Sequence, residues 1–240
     1  MKPTLWSGAV ILAAAIAAST VSGSHAAGES ATPPPLRAAA DTAAVAAAGS
    51  DTVVFSGGCF WGVQAVFQRV KGVEIATAGY AGGTAATATY AQTSTGRTRQ
   101  AESVRVIYDP SRVSYGTLLK LFFSVVHDPT EKNRQGPDIG PQYRSAIWTT
   151  GERQTSEARA YIARLTRAHA FSRPIVTEVQ RLPGFYPAET YHQDYLLHHP
   201  DQPYIAINDL PKVRALRRDF PELWRDRPSP WKMDAASSSH

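Results

Sequence analysis

The sequence has 240 residues, of which 43% are hydrophobic and 19% are charged. This apolar content suffices for one well-buried core, and the chain is too short for two large domains. A single cysteine excludes an intramolecular disulfide and a cysteine-rich zinc site. The net charge of +5 comes from 25 basic residues scattered among 20 acidic ones. A scattered excess is typical of a solvated surface and argues against a nucleic-acid partner.

The first residues have the pattern of an export signal. The positive start Met1-Lys2 precedes an apolar run from Ala9 to Ala18, and Ser24-His25-Ala26 offers the small residues that a signal peptidase needs. We therefore expect residues 1–26 to be a signal peptide and the mature protein to be exported, to a bacterial periplasm or the medium. The run is too short to span a bilayer, so we expect no stable membrane insertion. An uncleaved membrane anchor is the alternative.

The segments that flank the folded part have little to bury. Residues 27–50 are nearly all Ala, Pro, Ser, Thr and Gly, as in Thr32-Pro33-Pro34-Pro35. Such a composition predicts a flexible linker, because burial cannot offset the entropy of ordering it. Residues 231–240 are predicted to be a disordered tail. The folded domain is therefore expected over residues 51–230.

Within this domain the predicted elements follow the order β-α-β-β-α-β and then α-β. The strands are predicted at 52–55, 73–78, 103–108, 145–148 and 175–179, and the helices at 60–70, 114–126 and 152–169. This order predicts an α+β fold with a ferredoxin-like split βαβ core, long loops and C-terminal additions. The long loops cover residues 80–100 and about 127–142, and loops of such length in a compact domain are usually functional.

The single cysteine, Cys59, lies where a predicted strand ends and a predicted helix begins, directly after Gly57-Gly58. The free N–H groups of the first helical turn favour the thiolate and lower the pKa of the thiol, whereas the neighbouring Phe60 and Trp61 raise it. We therefore predict a thiol that reacts once substrate is docked. The alternative is a small buried structural cysteine, although a free thiol is a liability in an exported protein.

Gly58-Cys59-Phe60-Trp61-Gly62 resembles the active-site signature of the A-type peptide-methionine sulfoxide reductases. The resemblance covers roughly residues 52–210 and implies an enzyme that reduces the S epimer of methionine sulfoxide, free or in proteins, without a bound metal or cofactor. Further segments match this family in the same order: Gly79-Tyr80-Ala81-Gly82-Gly83, Tyr90, Ala101-Glu102, His127-Asp128-Pro129, Arg134-Gln135-Gly136-Pro137-Asp138, Gln142-Tyr143-Arg144-Ser145, Phe185-Tyr186-Pro187-Ala188-Glu189 and Tyr191-His192-Gln193-Asp194-Tyr195-Leu196.

Reduction of a sulfoxide by a thiol needs a general acid, because oxygen is a poor leaving group, and it leaves a sulfenic acid on the cysteine. Glu102 fits the acid by its position, since it alternates with Val104 and Val106 on the apolar face of a predicted strand. Burial should raise the pKa of its carboxyl and keep it protonated near neutral pH. The resemblance implies the same role. The alternative is a carboxylate at a strand edge, capped by a loop N–H.

The resemblance also implies the substrate-binding residues. Tyr90 and Tyr143 match family tyrosines that hydrogen-bond the sulfoxide oxygen, and Asp138 matches a loop aspartate that organises the same pocket. Phe60 and Trp61 resemble the apolar wall that receives the methyl group on the substrate sulfur.

The chain departs from the family in its C-terminal region and at two neighbours of the site. Many relatives carry resolving cysteines where this chain has none, in residues 203–211. Cys59 must therefore be recycled by an external thiol, either a thioredoxin-like protein or a small thiol. Gln100 and Ile139 replace histidines that are common in the family, which changes the hydrogen bonding expected around Glu102 and Asp138. We expect a monomer.

Two other constellations point to different chemistry. Glu189-x-x-His192 with His198-His199 could form a metal site, but the motif occurs once and lacks a second carboxylate set. Cys59 could instead pair with His127 or His192 in an acyl hydrolase. An exported, non-catalytic binding module with a structural cysteine is the alternative from a third class.

Overall fold

The computed structural model describes residues 49–231. The predicted signal peptide and nearly all of the predicted linker and tail lie outside the described residues. Within residues 49–231, no helix is long and apolar enough to cross a membrane.

The described residues form strands, α-helices and shorter helical turns. The strands are β1 (Asp51–Ser56), β2 (Val73–Ala81), β3 (Ala101–Tyr108), β4 (Arg134–Gln135), β5 (Asp138–Ile139), β6 (Ala146–Thr149), β7 (Glu178–Arg181) and β8 (Phe185–Pro187). The α-helices are α1 (Phe60–Gln68), α2 (Tyr90–Thr93), α3 (Tyr115–Leu121), α4 (Glu152–Arg167), α5 (Tyr195–His198) and α6 (Leu210–Asp219). The 3₁₀ turns are Ala85–Thr87, Pro141–Tyr143 and Thr190–His192, and the π-helical segments are Phe122–Val126 and Ile205–Asp209.

The larger sheet has six strands in the order β7-β6-β1-β3-β2-β8. Its four central strands, β6-β1-β3-β2, pair antiparallel with one another. Helix α1 connects β1 to β2, and α3 with its π-helical extension lies between β3 and β6. These are the two interleaved βαβ units of a split βαβ fold, so the predicted ferredoxin-like core is confirmed. The sheet is extended by β7, parallel to β6, and by β8, antiparallel to β2.

Strand β1 is buried on both faces of the sheet, as its continuous apolar run indicates. Phe55 faces the main core, where its ring stacks on Phe67 of α1 and on Phe122, with centroids 5.1 and 4.7 Å apart. Val54 faces the other side and packs in a second cluster with Trp148 of β6. The segment that leads to Cys59 is therefore held by packing from both faces.

The C-terminal part differs most from the predicted elements. The strand predicted at 175–179 begins instead at Glu178, because the backbone N–H of Val176 donates to the carbonyl of Pro129 and not to the sheet. Strand β8 was not predicted, since it has three residues and ends in a proline, a residue confined to sheet edges and strand ends. The long loop predicted at 80–100 contains the end of β2, a 3₁₀ turn and α2.

Candidate active site

Cys59 lies at the junction between β1 and α1, as predicted, and is 8% exposed. The turn before it needs glycine for two reasons. Gly58 has a φ of 92°, a conformation that L side chains rarely adopt. A Cβ at Gly58 would also lie 2.6 Å from Cγ of Gln135. The strand can therefore turn directly into the helix and present Cys59 at its first turn.

Burial raises the pKa of the Cys59 thiol well above its ordinary value, and the charges of Glu102 and Asp209 raise it further. A hydrogen bond from the backbone N–H of Trp61 and the charge of Lys212 act in the opposite direction. The expected lowering by the helix N-terminus is therefore present but outweighed by loss of hydration. The resting cysteine is a thiol, and the prediction that it reacts once substrate is docked stays a prediction.

Glu102 lies on β3 and is 3% exposed. Its Oε2 accepts a hydrogen bond of 3.0 Å from the backbone N–H of Phe60, the residue after the cysteine. Burial raises the pKa of this carboxyl to about 8, against the opposing effect of that hydrogen bond. A backbone N–H therefore caps this carboxyl, as in the alternative of a capped carboxylate at a strand edge. Glu102 is not at an edge of the sheet, however, because β3 lies between β1 and β2. The carboxyl is protonated near neutral pH and lies next to the cysteine turn.

The two predicted oxygen donors come from different loops. Tyr90 begins α2, and Tyr143 ends a 3₁₀ turn. Burial raises the pKa of both phenols, and the charges of Glu102 and Cys59 raise it further in each case. Both phenols therefore lie within electrostatic reach of the acid and the thiol, and both remain protonated hydrogen-bond donors.

Trp61 and Phe60 are packed among aromatic rings. The Trp61 ring stacks on Tyr195 with centroids 3.8 Å apart and planes 8° from parallel, and its Nε1 donates to Nδ1 of His192 at 3.2 Å. Phe60 is 1% exposed and lies 5.0 Å from the His192 ring and 5.9 Å from the Tyr80 ring. These contacts fix both predicted wall residues in one orientation.

Asp138 is held from the C-terminal region. It lies on β5, and its Oδ2 accepts a hydrogen bond from the Tyr204 hydroxyl. Burial raises the pKa of Asp138, whereas the hydrogen bond from Tyr204 lowers it. Burial raises the pKa of Tyr204, and the charge of Cys59 raises it further, so this pair also lies near the nucleophile.

The sequence prediction did not assign His192, Tyr195 or Tyr204 to the pocket. His192 is 2% exposed, and its ring contacts Phe60, Trp61 and Tyr90 at centroid distances of 5.0, 5.8 and 4.6 Å. The available signal is the matching segment from Tyr191 to Leu196, in which the sequence suggests the histidine as a base or a metal ligand and not as part of the aromatic wall. No local pattern indicated that Tyr204 would reach Asp138.

The residues of the two rival constellations are engaged in other contacts. Glu189 accepts hydrogen bonds from the Tyr80 hydroxyl at 2.8 Å and from the Tyr90 backbone at 2.9 Å. The His127 ring nitrogens are hydrogen-bonded to the carbonyl of Phe122 and to the hydroxyl of Ser145. Over residues 49–231, no group of three His, Cys, Asp or Glu side chains is arranged to hold a metal ion.

Among the described residues, no hydrogen bond joins the acid to either of the two positions that depart from the family pattern. Gln100 is fully buried, and its amide joins the loop after β2, with its Nε2 2.8 Å from the carbonyl of Thr84 and its Oε1 3.2 Å from the N–H of Gly83. Ile139 is 74% exposed. Gln100 therefore orders the loop that precedes Tyr90.

The comparisons with known proteins agree with this arrangement. The family model described as peptide methionine sulfoxide reductase matches residues 51–223. The chain is 53% identical over 180 residues to "Peptide methionine sulfoxide reductase MsrA 2" of Mesorhizobium japonicum, covering 75% of this chain and 92% of that protein. It is also 53% identical over 172 residues to the protein of the same name from Synechocystis, covering 72% and 80% of the two chains.

Solved structures resemble this fold as well. Mxr1 from Saccharomyces cerevisiae in reduced form has a TM-score of 0.60 at 29% identity, covering 68% of this chain and 92% of that one. Methionine sulfoxide reductase A of Corynebacterium diphtheriae has a TM-score of 0.56 at 36% identity, covering 65% and 78%. Together with the thiol, the protonated carboxyl and the aromatic wall, these matches show that the chain belongs to the A-type peptide methionine sulfoxide reductase family.

Proposed function

We propose that this protein reduces methionine sulfoxide to methionine with Cys59 as the nucleophile and Glu102 as the general acid. The observation that carries the assignment is the Glu102 carboxyl, which is buried, has a pKa of about 8, and is hydrogen-bonded to the first residue of α1 directly after the cysteine. A carboxyl that is still protonated at neutral pH can donate to an oxygen atom as negative charge develops on it.

The proposed reaction is balanced in atoms and protons. The sulfur of Cys59 attacks the sulfur of the sulfoxide, Glu102 protonates the sulfoxide oxygen, and the S–O bond to the substrate breaks as the oxygen passes to Cys59. Methionine leaves, and the cysteine is oxidised to a sulfenic acid. The proton that the thiol loses restores Glu102, so the carboxyl ends the step as it began.

The surrounding side chains bind and orient the substrate in this proposal. The hydroxyls of Tyr90 and Tyr143 donate to the sulfoxide oxygen, and Asp138 organises the same pocket. Phe60 and Trp61 form the apolar wall for the S-methyl group. The substrate is the S epimer, free or within proteins, which makes the activity a repair of oxidised proteins. The proposed active form is a monomer, since the residues given a role here form the site without a contribution from a second copy.

The sulfenic acid needs two equivalents of an external thiol, because the sequence has no second cysteine. The first thiol forms a mixed disulfide with Cys59 and releases water, and the second restores the Cys59 thiol and leaves as a disulfide. A thioredoxin-like protein or a small thiol is the proposed reductant. No metal ion takes part. The N-terminal pattern of residues 1–26 supports export, to a periplasm or the medium.

The test is intact mass spectrometry of the protein recovered after expression of the full sequence. The mass before reaction gives the first residue of the recovered chain, and a first residue near Ala27 would support export. The mass is then measured again after reaction with each epimer of methionine sulfoxide. With the S epimer we expect near-stoichiometric methionine and a gain of about 16 Da, one oxygen, on Cys59. With the R epimer we expect neither. No methionine from either epimer, with a Cys59 that a thiol reagent cannot label, would overturn the proposal in favour of a structural cysteine.

A further inference from the structure

A buried ion pair lies beside the site, in the C-terminal region that carries no cysteine. Asp209 is the last residue of the π-helical segment before α6, and its side chain is fully buried. Its Oδ1 lies 3.2 Å from Nζ of Lys212, whose side chain is 18% exposed. The other carboxylate oxygen, Oδ2, is buried and has no hydrogen-bond partner among the described residues. None of the roles proposed above uses this pair.

The pair is packed against the turn that carries the nucleophile. Gly62 lies in the first turn of α1, three residues after Cys59. A Cβ at Gly62 would lie 2.1 Å from Oδ1 of Asp209 and 2.7 Å from its Cγ. The carboxylate therefore rests directly on the backbone of this turn, and glycine is the residue that leaves room for it.

We propose that Asp209 and Lys212 are positioning residues for the nucleophile: the Asp209 carboxylate rests on the first turn of α1 and holds the Lys212 ammonium where its positive charge stabilises the Cys59 thiolate. This inference rests on the proposed role of Cys59 as the nucleophile. A buried thiol beside acidic side chains ionises at a high cost, so a nearby cation has a direct effect on the population of the reactive form.

The positive charge of Lys212 has the sign that this role requires. It lowers the pKa of the thiol, whereas the charges of Glu102 and Asp209 each raise it by more than Lys212 lowers it. The role proposed for Asp209 is therefore to hold the ammonium in place, not to act on the thiol through its own charge. The titratable and charged groups that interact with Cys59 come from β3, α2, the turn before β6 and the C-terminal region: Glu102, Tyr90, Tyr143, Tyr204, Asp209 and Lys212. In this set Lys212 supplies the positive charge.

The test measures how the rate of Cys59 alkylation by iodoacetamide depends on pH, read by intact mass. Cys59 is the single cysteine of the sequence, so the added mass reports on it alone. The variants are Lys212→Met and Lys212→Arg, with Lys71→Met as the matched control, since Lys71 is exposed beyond the opposite end of α1. We expect Lys212→Met to shift the profile to higher pH and slow alkylation near neutral pH roughly fivefold, whereas Lys212→Arg and Lys71→Met keep the native profile.

Without Lys212, the buried Asp209 carboxylate loses its ion-pair partner and can take up a proton, which would remove a negative charge near Cys59 and offset the loss of the cation. The same comparison is therefore repeated in an Asp209→Asn background, where this position carries no charge. There, adding Lys212→Met is expected to shift the profile to higher pH than in Asp209→Asn alone. A shift to higher pH in either background that Lys71→Met does not produce supports the proposal. Profiles that superimpose or shift to lower pH in both backgrounds overturn it. Alkylation needs neither sulfoxide nor reductant, so this outcome is independent of whether the chain reduces methionine sulfoxide.

Discussion

The two halves of the site are built in different ways. Cys59 and Glu102 lie on elements of the ferredoxin-like core, where β1 is buried on both faces and Glu102 faces Tyr80 in the register of β2 and β3. His192, Tyr195 and Tyr204 lie instead in the C-terminal region after β8, on one-turn helices and the segment that follows them. The core holds the groups that react, and the C-terminal region supplies rings that enclose them. Changes in the first half should affect chemistry, and changes to the enclosing rings of the second should affect fit and stability.

Buried amide groups attach the C-terminal half to the core through hydrogen bonds. The Gln193 amide oxygen accepts hydrogen bonds from the Gln64 side chain at 2.9 Å and the Ala78 N–H at 3.0 Å. The Asp194 N–H donates to the Gln64 side chain at 3.0 Å. Asp194 has a φ of 55°, so the chain bends at this point. Hydrogen bonding therefore replaces the long regular elements that this region lacks.

The largest effect is expected from Glu102→Gln in the core half. Gln can still accept the hydrogen bond from Phe60 but has no acidic proton to give, so sulfoxide turnover should fall about a thousandfold. Cys59 alkylation should be retained, because the thiol is still present. Single-turnover methionine release measures the effect, and Glu74→Gln, an exposed carboxylate on β2, is the matched control. Full activity in Glu102→Gln would remove Glu102 from the mechanism.

The same variant has a second signature in its pH dependence. The folded protein holds the Glu102 proton with a pKa of about 8, against an ordinary value of 4.5. The stability that this group contributes is therefore complete below pH 4.5 and is lost as pH rises through 8, by at most about 1.4 kcal/mol per pH unit. Urea unfolding at pH 5 and pH 8 should show Glu102→Gln gaining stability relative to the native protein at the higher pH. An equal difference at both would contradict the raised pKa.

The sequence was sufficient for the core half because its signals are local. The glycines before Cys59, the apolar run of β1 and the alternation around Glu102 each follow from the period of one element, and the family resemblance added the roles. The direction of the Cys59 pKa shift does not follow from local sequence. The N–H groups of the first turn favour the thiolate, as expected, but burial and the charges of two carboxylates from other elements outweigh them. Summing such terms requires the tertiary structure.

The C-terminal half could not be predicted in the same way. Tyr204 reaches Asp138 across a separation of 66 residues, and Asp209 reaches Gly62 across a stretch of chain that contains every strand after β1. The segments that carry Tyr204 and Asp209 are short and irregular, with no hydrophobic period from which a face could be read. The positions of Tyr204 and Asp209 are set by contacts with distant residues of the core, and a short stretch of sequence carries no information about such contacts.

The contact between Gly62 of the core and Asp209 of the C-terminal half gives the next prediction. In a helix, Gly→Ala ordinarily stabilises by up to about 1 kcal/mol, but the Cβ of Gly62→Ala would collide with Asp209. We expect a loss of about 2 kcal/mol in the free energy of unfolding, measured by urea denaturation. Asp209→Ala removes the colliding atoms, so Gly62→Ala should cost less in that background. The same cost in both backgrounds would contradict the close packing of the two halves.

The smallest effect is expected at Trp61, which belongs to the core helix but is held by the C-terminal half. Trp61→Phe keeps an apolar ring but loses the hydrogen bond to His192 and part of the stack on Tyr195. Because the proposed role of Trp61 is to receive the S-methyl group, KM for methionine sulfoxide should rise about threefold to tenfold, as expected for a modest loss of apolar contact. The turnover number and Cys59 alkylation should change little.

Trp224→Phe is the matched control, since the Trp224 indole also donates one hydrogen bond, to Asp226 at 2.8 Å, on an exposed part of the chain. It removes the same atoms and the same kind of donor without touching the pocket, so its KM should stay at the native value. If Trp61→Phe instead lowered turnover as strongly as Glu102→Gln with KM unchanged, the wall would take part in the chemical step. The division between a reacting core half and an enclosing C-terminal half would then fail at Trp61, which belongs to the core and contacts the C-terminal half.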